Sequence, residues 1–224
     1  MKKHKKAILL LLALLTLGVL AGCALNAVAA KDNNTLSNEA EIASANAAIM
    51  EEATAWFEQQ TTHYEIICGE VHNDAVVFLT GTKNPGTDSY QLLQTFVVSK
   101  NGDGYTVTAM KDGERAISAG IVAHVLTTDD LTIVFGDTGD SIFDFINDRR
   151  LEANFTGVNI LCENGETENR EITGNSPYLL VFTKAMEISD IEFVSPELTV
   201  KYSSFFGGAL MDNTESYDVS NIFE

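Results

Sequence analysis

The chain has 224 residues, of which 45% are hydrophobic and 21% charged, with a formal net charge of −18. That balance excludes a disordered chain, and the acidity sets it against nucleic acid and anionic lipid headgroups. The length fits one or two domains, and with three prolines in all there is no Pro-rich linker.

The first element is a leader. Lys2, Lys3, Lys5 and Lys6 form a basic start, and Ala7 to Leu20 is an apolar run broken only by Thr16 and Gly18. That is the shape of a secretory signal. The tetrad Leu20-Ala21-Gly22-Cys23 closes it. These residues resemble the bacterial lipobox, in which an aliphatic residue and two small residues precede an invariant cysteine. The resemblance covers only the first 23 residues. It implies a bacterial lipoprotein: residues 1–22 are a signal peptide, and Cys23 is the lipid attachment site, carrying diacylglycerol and a further acyl chain such as palmitate. At least two chains give stable anchoring, whereas one binds only marginally. Two alternatives stand beside it. Ala27-Val28-Ala29 fits an ordinary cleavage site, and an apolar run continued through Ala30 reaches the ~20 residues of a spanning anchor. All three put the rest of the chain outside the cytoplasm. The leader holds four lysines and no acid, so the remainder is more acidic than the whole. Solubility at a crowded surface explains that acidity, with Ca2+ or a cationic partner as the alternative.

With Cys23 lipidated, Cys68 and Cys162 are the pair left for an intrachain disulfide. It would close a loop of about 94 residues, worth roughly 4–5 kcal/mol on the chain-entropy view. Two separate buried thiols are the other reading.

Residues 23–36 are small and polar and read as a tether. A helix follows, with Asn38 as N-cap and Glu41 in capping-box position. Ile42, Ala45, Ile49, Ala53, Trp56 and Phe57 form its apolar stripe, with Trp56 as core anchor, and the helix ends near Gln60. "HYEIICGEV", "AVVFLTGT", "YQLLQTFVVSK" and "YTVTAMK" then read as four antiparallel strands, with turns at "HND", "NPGT" and "NGDG". Residues 37–112 therefore form a helix plus antiparallel sheet. The element order is similar to that of cystatin-type and nuclear-transport-factor-2-type units, in order alone.

Beyond a boundary near 112–118, residues 113–224 read as a mostly β region. "AGIVAHVL" and "LTIVFGD" are strands. "DSIFDFINDRR" has the spacing of a short helix, or equally of an edge strand. "TGVNILCEN", "REITG", "YLLVFTKAM", "ISDIEFVS" and "LTVKYSSFF" complete the strands. The fold class expected is α+β: an N-terminal amphipathic helix packed on an antiparallel β-meander, followed by a sandwich-like β region.

Candidate chemistry is sparse. Alternation puts Cys68, Glu70, His72 and Asp74 on one strand face, but the row spans about 20 Å, too long for one metal ion. Asp137, Asp140 and Asp144 suit calcium by type, without the order of an EF-hand loop. No G-x-S-x-G, S-x-x-K with S-D-N, H-E-x-x-H or glycine-rich phosphate loop occurs. His124 lies in an apolar strand as a core histidine, and Arg149-Arg150 is too small a patch for a polyanion. No catalytic residue, metal site or cofactor is expected. The functional reading is a membrane-anchored lipoprotein with a non-catalytic binding or accessory role at the extracytoplasmic face, toward a protein or cell-envelope partner. The alternatives are an extracytoplasmic hydrolase assembled from distant strands and a solute-binding lipoprotein.

Overall fold

The computed structural model describes residues 33–61, 63–83, 90–113, 120–139, 141–144, 148–152, 154–174, 176–206 and 209–210. Cys23, the leader, the start of the tether and the turn at 84–87 lie outside the described residues. The chain divides into two compact units, one ending at Ser44 and the other starting at Ala45.

Helix α1 spans Asn33–Gln60 and so crosses that division. It ends where expected but begins before Asn38, which lies inside it. Asn33 to Asn38 contain neither glycine nor proline, so nothing halts helix propagation there, and Asn33 is itself a favoured cap type. Of the first unit, Glu41 to Ser44 are exposed and Ile42 is 60% accessible. No described helix is long and apolar enough to cross a membrane.

In the second unit, β1 (Glu65–His72), β2 (Ala75–Lys83), β3 (Tyr90–Asn101) and β4 (Gly104–Gly113) make an antiparallel meander in chain order. Its turns follow from residues that accept a left-handed backbone: Asn73 has φ 55° and Gly102 has φ 60°. The strands β5 (Ile121–Thr127), β6 (Thr132–Thr138), β7 (Ser141–Asp144), β8 (Arg149–Glu152) and β9 (Gly157–Cys162) follow. Next come β10 (Thr167–Glu171), β11 (Pro177–Phe182), β12 (Ile188–Val194), β13 (Thr199–Lys201), a 3-10 turn (Tyr202–Ser204), β14 (Phe205–Phe206) and β15 (Ala209–Leu210). They form sheets ordered β10-β9-β12-β13, β11-β6-β5 and β14-β15-β7-β8. The protein is thus β-rich and broadly α+β.

Of the two readings of "DSIFDFINDRR", short helix or edge strand, the strand holds: the segment carries β7 and β8, with β8 at the sheet edge and β7 inside it. Ile142 is fully buried and pairs with Leu151, while β7 also takes β15 as a parallel neighbour. Ladder bonds on both sides of β7 outweigh the helical spacing of its apolar residues.

Three clusters build the core. In sheet β11-β6-β5, Ile133, Phe135, Leu179 and Val181 face Val77, Leu79, Leu93 and Val97 of the meander. The intervening residues Val134, Tyr178, Leu180 and Phe182 face Val158, Ile160, Ile191 and Phe193 of strands β9 and β12 in sheet β10-β9-β12-β13. Sheet β11-β6-β5 is therefore covered on both faces, which is why β6 is buried from end to end and why its text lacks alternation. The first of these clusters crosses the boundary expected at 112–118, and residues 45–224 form one compact unit.

The third cluster joins Ala53 and Phe57 to Val76, Phe78, Phe96 and Val98. The Phe57 ring centroid lies 5.3 Å from that of Phe78 and 5.1 Å from that of Phe96. Phe57, not Trp56, is the aromatic that α1 buries in this cluster. Trp56 is half-buried, with its ring 6.2 Å from Tyr105.

A buried carboxylate fastens the last turn. Asp190 accepts from the Ile191 and Ser203 amides at 2.8 and 3.1 Å and from the Ser203 hydroxyl at 2.6 Å. The 3-10 turn is thereby tied to β12.

Candidate functional site

The hairpin ends at Asn73–Asp74, Thr128–Leu131 and Glu163–Glu166, with the link between β11 and β12, supply the residues of three adjoining clefts. The first, about 410 Å³, is lined by Cys162, Asn164, Glu166, Lys184, Met186 and Glu187, with Thr127 and Ala185 at its margins. The second, about 340 Å³, runs between His72, Asp74, Ser99, Thr108, Asp130 and Leu131. A third of about 430 Å³ shares His72 with the second and Lys184 with the first, and adds Glu168 and Arg170. The floor is apolar, from Ala75, Leu131, Val181 and Met186, and the rim is hydroxyl, amide and charge.

The middle cleft has the best-defined polar geometry. Glu168 and Arg170 stand two apart on β10 and so share a face. Glu168 Oε1 accepts from Lys184 Nζ at 2.7 Å, and its Oε2 accepts from Arg170 Nη1 at 3.4 Å. Glu166 Oε2 is 3.9 Å from the same Lys184 nitrogen. The Arg170 guanidinium carbon sits 4.5 Å over the ring centroid of Phe182, and its Nη1 also donates to the Asn169 carbonyl at 2.9 Å. The Lys184 ammonium beside it holds the Glu168 carboxyl below its usual range, and Glu168 in turn raises Lys184. Both groups are therefore charged at neutral pH.

At the junction with the second cleft, His72 Nε2 is 3.1 Å from Glu70 Oε2. Of the expected strand-face row, the structure brings Glu70 and His72 together. Cys68 is on the same face, exposed, and Asp74 is in the turn. No group of three or more His, Cys, Asp or Glu among the described residues is placed to hold a metal ion. Asp137 and Asp144 are each 3% accessible. Asp144 accepts from Arg149 Nε at 3.1 Å, and Asp140 lies outside the described residues. Arg150 donates through Nε to the Ser141 hydroxyl, so the pair of arginines serves the β7–β8 hairpin. His124 is half-buried on β5, with its ring 5.3 Å from that of Phe135 and tilted to it, so it is not the buried core histidine expected from its apolar run.

Cys68 and Cys162 are free thiols, one exposed on β1 and one buried on β9, so the disulfide weighed from the sequence is not formed. The two strands belong to different sheets. Desolvation raises both thiols, against the pull of Lys184 in the case of Cys162. For Cys68, whose residue is exposed overall, desolvation of the sulfur and the Glu70 carboxylate push the thiol up to about 11. The fold favours its neutral form, so this contribution is intact below the ordinary 9.0 and lost as pH rises toward about 11. Alkylation of Cys68 by iodoacetamide is expected to accelerate about tenfold per pH unit until near that value. A rate that levels off around the ordinary thiol pKa would contradict the shift.

Comparison with protein-family models, curated proteins and solved structures returns no match. The sequence reading missed Lys184, Glu168 and Arg170. The i, i+2 pairing of Glu168 with Arg170 on a strand was a usable signal. Lys184 was not, because it arrives from the far end of a different sheet.

Proposed function

We propose that the protein is an exported lipoprotein, anchored to the extracytoplasmic face of the membrane through Cys23, whose ectodomain binds a ligand without transforming it. Its frame is the N-terminal amphipathic helix seated on the meander through Phe57, followed by a sandwich-like β region. The observation that carries the binding reading is the run of three clefts linked by His72 and Lys184. A long groove with an apolar floor and hydrogen-bonding walls suits an extended polar chain, such as a peptide segment, better than a compact metabolite. Sugars are favoured less, because Phe182, the aromatic beneath the groove, is buried under Arg170 and offers no open ring for stacking. Binding is favoured over hydrolysis because both thiols are raised rather than activated.

Anchoring is tested by Cys23→Ser. The expected result is loss of membrane retention; unchanged processing and retention would refute the lipid anchor. The groove is tested by titrating the protein with tetra-alanine and following backbone amide shifts. Perturbations confined to the residues from Ser99 through His72 to Glu187 are expected. Their absence would end the groove reading.

A further inference from the structure

Resting on the groove reading, we infer that Lys184 and Arg170 form a carboxylate-binding subsite in its middle, occupied in the free protein by the side chain of Glu168. The chain carries 14 Lys and Arg against 32 Asp and Glu, yet here two cations converge on one carboxylate, at 2.7 and 3.4 Å. That arrangement is what a ligand carboxylate would require.

Arg170 is more than a surface cation. Its guanidinium is laid on Phe182, and among the described residues only its Nη1 has a protein hydrogen-bond partner. The Nε and Nη2 donors remain to receive an incoming anion, and a stacked guanidinium loses little freedom on doing so. Lys184 adds a second, movable cation from the link after β11. Glu168 is the built-in competitor. Exposed ion pairs are weak, so a ligand carboxylate can displace Glu168 readily, while Glu166, 3.9 Å from Lys184, disfavours anions that lack the rest of the ligand. The subsite therefore reads a carboxylate attached to an extended chain, as at the C-terminus of a peptide, rather than a free small anion.

The test compares tetra-alanine having a free C-terminal carboxylate with its C-terminal amide, using amide shifts and titration calorimetry at low salt. The free acid is expected to bind more tightly, by about tenfold. Its affinity should fall with salt and drop about fivefold or more in Lys184→Met and in Arg170→Gln. Glu168→Gln should instead raise affinity, by about three- to tenfold; a purely structural role for Glu168 would not do this. Equal binding of acid and amide in the groove would overturn the subsite and leave the groove reading standing. So would a Glu168→Gln variant that folds but binds no more tightly. If neither peptide perturbs the groove, both readings fall.

Discussion

Replacing Gly136 by alanine is expected to destabilise the fold by roughly 3 kcal/mol or more, lowering the unfolding midpoint by about 6–12 °C in a domain of this size. Gly136 sits on β6, between β11 and β5. A Cβ there would lie 1.9 Å from the Val122 carbonyl oxygen and 2.9 Å from the Tyr178 hydroxyl. The hydroxyl donates to that same carbonyl at 3.0 Å, so the space beside Gly136 is already used by a side chain crossing from the neighbouring strand. The first obstacle is backbone, not the end of a flexible side chain. Tyr178→Phe should therefore fail to rescue the double variant, while costing about 1 kcal/mol alone through the lost hydrogen bond. Urea unfolding of the three variants measures this. A Gly136→Ala protein within about 1 kcal/mol of the parent would contradict the close approach of these strands.

Phe193→Ala is expected to cost about 3–5 kcal/mol. Phe193 is fully buried on β12, and its ring lies 5.7, 5.9 and 6.4 Å from those of Phe155, Tyr178 and Tyr202. It thus joins β12 to β11, to the segment before β9 and to the 3-10 turn. Truncation removes buried apolar area and leaves a cavity ringed by aromatics that cannot all collapse inward. Phe193→Leu keeps most of the volume and should lose about half as much. A loss below about 1.5 kcal/mol for the alanine variant would mean that this ring cluster is not a packing centre.

Local features were legible wherever short-range physics decides them. Asn73, Gly102 and Gly165 all take positive φ in turns that their residue types announce, and the four strands of the meander fall where alternation and turn chemistry put them. The end of α1 at Gln60 was equally plain. Features decided by distant partners were not. The spacing of the β7–β8 segment suits a short helix or an edge strand equally, and only the pairing of β7 with β15 and β8 decides between them. The soft boundary at 112–118 dissolves because Phe135 and Val181 pack on Leu79 and Val97 from the other side of it. The candidate subsite was hidden for the same reason, since Lys184, in the link after β11, meets Glu168 of β10 only through the tertiary fold.

The sheet covered on both faces bears on how the chain reaches its native state. β6 must wait for β11, roughly forty residues downstream, before its second edge is filled, and such non-local pairing slows folding. Until then the meander keeps Val77, Leu79, Leu93 and Val97 open to water on the side that β6 and β11 will cover. A chain ending near residue 112 would hold that apolar surface permanently exposed and would be prone to associate. The first half of the sequence thus presents an apolar face that only residues of the second half, Ile133, Phe135, Leu179 and Val181 among them, can cover.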